Sequence, residues 1–203
     1  MSTFWGTLHS GDFLVKEAIM NREKRKGDLR SGAFIDGVNL FKSENQNWRI
    51  DYKKLKEYLD KRHCPLFYNY YNCVDASPST GDFIRKARLQ QGIYKKLERL
   101  GFKVITKPLK YIKEGRIVQT KCDMDIDIAL DVYNSLIDLD IVVLVTGDSD
   151  FLRLVKDCCG KEKRVMIYAF RKNIAWELRK FSVENRRCAF QLFDKLQDVL
   201  RLK

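Results

Sequence analysis

The chain has 203 residues, 45% of them hydrophobic, with 39 Lys and Arg against 27 Asp and Glu, a formal charge of +12. That length suits one domain with its own core plus a terminal extension, and the apolar content excludes a disordered polyelectrolyte. The longest unbroken apolar run, Ile141 to Val145, falls far short of the ~20 residues that cross a bilayer, and Asp12, Lys16 and Glu17 interrupt the first twenty residues where a secretory signal would need an apolar stretch. A cytoplasmic protein without a membrane partner is the expectation.

In chain order, residues 1–31 read as an extension. Phe13, Leu14, Val15, Ala18 and Ile19 could form a short amphipathic helix ahead of the charged run 21–26. From residue 32 to 203 the pattern is one domain with a helical tail. Ala33 to Val38 reads as a buried strand, Tyr52 to Arg62 as a helix, and the aromatic stretch Leu66 to Val74 as a strand. Asp75 to Gly81 is rich in turn residues. Phe83, Ala87, Ile93, Leu97 and Leu100 recur at helical spacing up to Gly101, a good helix terminator. Phe102 to Thr106 reads as a strand, and 110–120, centred on Glu114 and Gly115, as a hairpin. Met124 to Leu136 is helical in pattern, Ile141 to Val145 a buried strand, Phe151 to Cys159 a helix and Val165 to Phe170 a strand. The tail beyond Asn173 reads as largely helical, with Cys188 to Phe193 a candidate edge strand. Alternating strands and helices with β-branched apolar runs predict an α/β protein with a mainly parallel sheet covered on both faces.

The six cysteines (64, 73, 122, 158, 159, 188) show no CxxC spacing. Reduced thiols are expected rather than a disulfide framework, with Cys158 and Cys159 packed in a helix. His9 and His63 are the two histidines. His63 is expected as a cation at a helix C-terminus, and nucleophilic triads built on histidine are disfavoured.

In parallel sheets ligands collect beyond the carboxyl ends of the strands, near a switch in strand order. Three segments put acids there: Phe34-Ile35-Asp36-Gly37-Val38-Asn39, the run Asp123 to Asp131, and Thr146-Gly147-Asp148-Ser149-Asp150-Phe151. Taken singly, Asp36 could make an Asx turn, and Asp148, Ser149 or Asp150 could cap a helix. At ~100° per residue Asp125 falls on the stripe of Ile128, Ala129, Val132 and Leu136, whereas Asp127 and Asp131 fall on the opposite, solvent-facing side. Asp36, Asp125 and Asp148, with Asp150 nearby, would then converge. Carboxylates gathered so closely repel, and a hard divalent cation removes the conflict; an all-oxygen donor set suits Mg²⁺ or Mn²⁺. Asn39 stands at the same rim. Lys107, Lys110, Lys113, Arg116 and Lys121 gather at the hairpin, a basic surface suited to the backbone of a nucleic acid. No Gly-rich loop follows a strand as a P-loop or dinucleotide site requires.

At these motifs, FIDGVN (34–39), DMDIDIALD (123–131) and TGDSDF (146–151), the sequence resembles the NYN family of the LabA/DUF88 type, within the PIN-like nuclease superfamily. The resemblance spans roughly 33–180. It implies a three-layer α/β/α PIN-like fold and a Mg²⁺- or Mn²⁺-dependent ribonuclease, an endonuclease acting on RNA. Asp36, Asp125, Asp148 and Asp150 match the family's metal-coordinating acids, and Asn39 its companion polar residue in the catalytic set. The alternative is a catalytically silent RNA-binding or scaffold module on the same fold. Either reading allows a homodimer.

Overall fold

The computed structural model describes residues 29–46, 48–75, 81–114 and 117–202. The expected amphipathic helix in residues 1–28, most of the turn at 75–81 and the hairpin tip at 115–116 lie outside them. Eight strands run in chain order: β1 Ser31–Asp36, β2 Pro65–Val74, β3 Lys103–Pro108, β4 Lys110–Glu114, β5 Ile117–Lys121, β6 Ile141–Val145, β7 Arg164–Ala169 and β8 Cys188–Leu192. Helices are α1 Gly37–Gln46, α2 Tyr52–His63, α3 Gly81–Arg99, α4 Asp125–Ser135, α5 Leu152–Gly160, α6 Trp176–Glu184 and α7 Gln197–Leu200. A 3₁₀ turn, Ser149–Phe151, precedes α5.

Six strands form one all-parallel sheet in the order β3-β2-β1-β6-β7-β8, and β4 with β5 makes a separate antiparallel hairpin. The central strands β1, β6 and β7 are apolar runs buried along their whole length, as a sheet covered on both faces demands. Successive side chains point to opposite faces, which splits the core in two. Ala33, Ile35, Val143 and Val145 pack with Leu40, Leu55, Leu59 and Leu97, from α1, α2 and α3. Phe34, Val142 and Leu144 pack with Ile128, Val132, Val155 and Leu178, from α4, α5 and α6. The result is the expected three-layer α/β/α architecture.

Some boundaries differ from expectation. β1 starts at Ser31 and stops at Asp36, where the chain turns directly into α1, a helix absent from the reading of the sequence. Gly37 permits that passage: a Cβ there would lie 2.6 Å from the Tyr71 carbonyl oxygen and against the Tyr70 ring. Cys188–Leu192 is indeed the edge strand β8. His63 does close α2, as expected, and it is buried there, with Nε2 2.7 Å from the Tyr168 hydroxyl. Cys158 and Cys159 are buried in α5. Cys73 and Cys122, however, form a disulfide across 49 residues with Cα atoms 6.0 Å apart, contrary to the expectation of reduced thiols throughout. The pairing is created by the meeting of the β2 end with the β5 exit, which no local spacing reveals. None of the helices among the described residues is long and apolar enough to cross a membrane.

Candidate functional site at the switch in strand order

Between β1 and β6 the sheet changes direction, one half building outward through β2 and β3 and the other through β7 and β8. The carboxyl ends of these adjacent strands deliver Asp36 and the segment Thr146–Asp148 to one rim, since Ile35 and Val145 are register partners. α4 packs against both β1 and the 3₁₀ turn, which brings its first residue, Asp125, to the same rim.

Asp36 is 3% exposed. Its Oδ1 accepts the Asn39 N–H at 2.9 Å and its Oδ2 the Thr146 hydroxyl at 3.0 Å. Burial raises its pKa above the ordinary carboxylate value; those two donors pull it back, and the charge of Asp148 pushes it up again. Thr146 Oγ1 also accepts the Asp148 N–H at 3.3 Å, so one hydroxyl ties Asp36 to the backbone of Asp148. Asn39 joins the same two strand ends, its Oδ1 accepting the Gly147 N–H at 3.2 Å. Gly147 is wedged tightly: a Cβ there would fall on the Asn173 carbonyl, and its own carbonyl accepts the Ala175 N–H at 2.8 Å.

Asp148 caps the 3₁₀ turn by accepting the Asp150 N–H at 3.1 Å, and Asp150 is exposed on that turn. Asp125 is half-buried, and its N–H donates to Asp123 Oδ1 at 3.1 Å. Its pKa is pushed up to about 6, first by burial and then by the charges of Asp36, Asp123, Asp148 and Asp150. The charges that raise it belong to acids of three distant segments, in keeping with their delivery to one rim by β1, α4 and the turn after β6.

The other acids of α4 are less solvent-facing than expected. Asp127 forms an ion pair with Lys107, whose Nζ also donates to the Asp123 carbonyl at 3.0 Å. Asp131 accepts the Tyr71 hydroxyl at 2.8 Å. Both partners sit on strands remote in sequence, which helical geometry alone does not show. Of the five basic residues read as a nucleic-acid surface, Lys107 is thus bound to α4, and Lys110 and Lys121 are exposed register partners at the hairpin base. The side chains of Lys113 and Arg116 lie outside the described residues. Thr146 was missed as a site residue; the available signal was its position at the end of the most apolar strand, directly before Gly147 and Asp148.

The donor chemistry of this rim, carboxylate and amide oxygens with no sulfur or imidazole, suits a hard divalent cation. Among the described residues no three His, Cys, Asp or Glu side chains stand close enough to hold an ion as a ready-made cage. Mg²⁺ commonly takes only one or two carboxylates and completes its shell with waters and substrate phosphates, so the donor set still fits.

A parallel α/β/α sheet with acids at its switch point is consistent with a PIN-like fold. The NYN domain model matches residues 30–184, and the chain belongs to the NYN domain family. It is 30% identical over 154 residues to the Low amplitude and bright protein LabA of Synechococcus elongatus, covering 74% of this chain and 78% of that protein. The crystal structure of a protein of unknown function from Vibrio parahaemolyticus is similar at a TM-score of 0.64 and 22% identity, over 85% of this chain and 96% of that one.

Proposed function

We propose that this protein is a metal-dependent ribonuclease of the cytoplasm, an endonuclease that hydrolyses RNA phosphodiester bonds. The observation that carries the reading is that the Ile35–Val145 pairing and the Thr146 hydroxyl bring Asp36 and Asp148 to one rim at the switch in strand order, where α4 adds Asp125. One or two of these acids, Asp36 and Asp148 foremost, would ligate Mg²⁺ or Mn²⁺, with waters and substrate phosphate oxygens completing the shell. When bound, the cation supplies a water of lowered pKa and offsets the charge developing on phosphate. The chain's own residues do the positioning. The Asn39 N–H and the Thr146 hydroxyl fix both oxygens of Asp36, and the Asn39 side chain holds the Gly147 turn so that Asp148 keeps its place. The basic surface around this acidic rim would carry the RNA backbone.

Single-stranded labelled RNA incubated with Mg²⁺ or Mn²⁺ tests the reading. Wild type is expected to cleave internally, and Asp36→Asn and Asp148→Asn to lose at least about a hundredfold in rate. Mn²⁺ should also raise the melting temperature of wild type and leave both variants unmoved, because an ion that binds only the folded site stabilises it. Undiminished cleavage in both variants overturns the assignment. One observation favours the silent-module reading: Asp36 and Asp148 already serve as local caps, and among the described residues no three-ligand cage is preformed. RNA binding without cleavage under either cation would establish that reading instead.

A further inference from the structure

The outer side of α4 carries a line of apolar residues that the fold leaves in solvent. Ile126, Leu130 and Tyr133, with Ile137 in the turn beyond the helix, are spaced i, i+4, i+7 and i+11, and each is more than half exposed. Apolar residues scattered singly over a surface need no explanation, but helical neighbours in one row make a strip. Lys161 borders it, its Nζ 5.3 Å from the centre of the Tyr133 ring. Residues 1–28 join the fold at one end of this strip. Immediately after Ile137, Asp138 receives the Arg30 guanidinium at 3.4 Å. Asp140 Oδ2 accepts the Arg30 N–H at 3.0 Å, and the Asp140 N–H donates to the Arg30 carbonyl at 2.7 Å. Leu29 packs toward the core under α1, α2 and α3 while Arg30 reaches Asp138, so the chain enters the sheet at the edge between the two helical layers.

We propose that residues 13–19 dock on this strip and cover it within the same chain. Leu14, Val15, Ala18 and Ile19 are spaced i, i+1, i+4 and i+5, one face of a helix. Residues 20–28 separate them from Leu29. Extended, that tether spans ~30 Å, about twice the ~16 Å length of α4, so it reaches every position on the strip. Tethering also gives the segment an effective concentration in the millimolar range, so four side chains suffice where a free partner needs a full interface. Charge selects this occupant over a second copy of the chain. Between Ile19 and Leu29 lie Arg22, Lys24, Arg25 and Lys26. α4 holds Asp125, Asp127 and Asp131 and no base. Lys107 pairs with Asp127 and Arg30 with Asp138, but Asp131 is met by the Tyr71 hydroxyl rather than a cation. Two copies of α4 laid together would set acid against acid; the basic run of the segment meets acids instead. The docking holds whether or not the rim cleaves RNA.

The full chain is compared with Leu130→Gln, with Leu14→Gln/Ile19→Gln and with all three changes together. Leu and Gln have nearly equal helix propensities, so a bare strip would not register the change in α4. Leu130→Gln is expected to lower the melting temperature by about 2–4 °C, and the segment pair by a similar amount. The triple variant should lose no more than the larger of the two, because either side alone breaks the contact. In hydrogen–deuterium exchange, the amides of residues 13–19 should exchange at least about tenfold faster in Leu130→Gln than in wild type. Light scattering should give both the same mass. Losses that add in the triple variant overturn the docking, as does a Leu130→Gln chain that leaves either the melting temperature or the exchange of 13–19 unmoved. A two-chain mass that Leu130→Gln returns to one chain also overturns it and assigns the strip to a second copy.

Discussion

Thr146 shows how little chemistry holds the rim together. A single hydroxyl donates to Asp36, 110 positions back in the chain, and accepts from the Asp148 amide. Thr146→Val keeps the shape but strips the donor from a buried carboxylate, a loss of about 1–3 kcal/mol. Urea unfolding should show a lower midpoint with an unchanged slope, and Thr146→Ser should restore most of it. Threonine at a strand end reads as an ordinary β-former, so its place directly before Gly147 and Asp148 is the one signal in the sequence for a site role. Asp36 and Asp148 were legible, since an acid interrupting or directly ending an apolar strand has no packing reason to be there. Their capping roles were legible too, and both hold: the carboxylates serve local backbone amides and the shared rim at once.

At the scale of one element, α4 concentrates both the successes and the failures of reading a helix from its sequence. The angular position of Asp125 on the inward stripe was correct, with Ile128, Val132 and Leu136 buried behind it. Yet Ile126, Leu130 and Tyr133 remain exposed on the outer side, so the helix carries apolar residues on both faces and its periodicity is blunted. The partners of Asp127 and Asp131 come from β3 and β2 and could not be read from α4. α1 escaped notice because it follows β1 without any loop and its β-branched Val38 continues the strand pattern. Asp125 itself is disfavoured in its charged state. Its folded pKa of about 6 stands above the 3.8 of the free side chain. The folded state therefore binds the proton more tightly, and stability falls as pH rises from 3.8 to 6, then stays level. Asp125→Asn removes that burden. Because Asp125 is half-exposed, solvent screening reduces the gain to on the order of 1 kcal/mol at pH 7, or a rise of about 2–4 °C in melting temperature. The difference between variant and wild type should vanish near pH 3.5, and a variant less stable than wild type at pH 7 would contradict the account.

For the molecule as a whole, the family match ends at residue 184 but the sheet does not. β8 pairs along its length with β7 and buries Cys188, Ala189 and Leu192, while Phe193 and Leu200 complete the core on the α2 side. Truncation after Glu184 would strip β7 of its neighbour and leave a long apolar edge ready to pair with other chains. Such a chain is expected to aggregate, or to lose its single cooperative thermal transition, as light scattering and calorimetry would show. A truncated chain that unfolds like the full one would mean the last strand is dispensable. The alternation of strands and helices made the layered architecture legible from residue 33 onward. The cysteine pair was not, because its two members meet only when the β2 end and the hairpin exit are folded together.

The placement of β1 against β6 carries one more consequence. Asp36 leaves the ribosome well ahead of its partners: its hydroxyl donor Thr146 and the acids Asp148 and Asp150 come more than a hundred residues later, just beyond a strand that must slot in at the centre of the sheet rather than at its margin. A growing polypeptide thus has no complete acidic rim until the second half of the fold leaves the ribosome, and any premature stop before Thr146 yields a product with half a pocket and no middle.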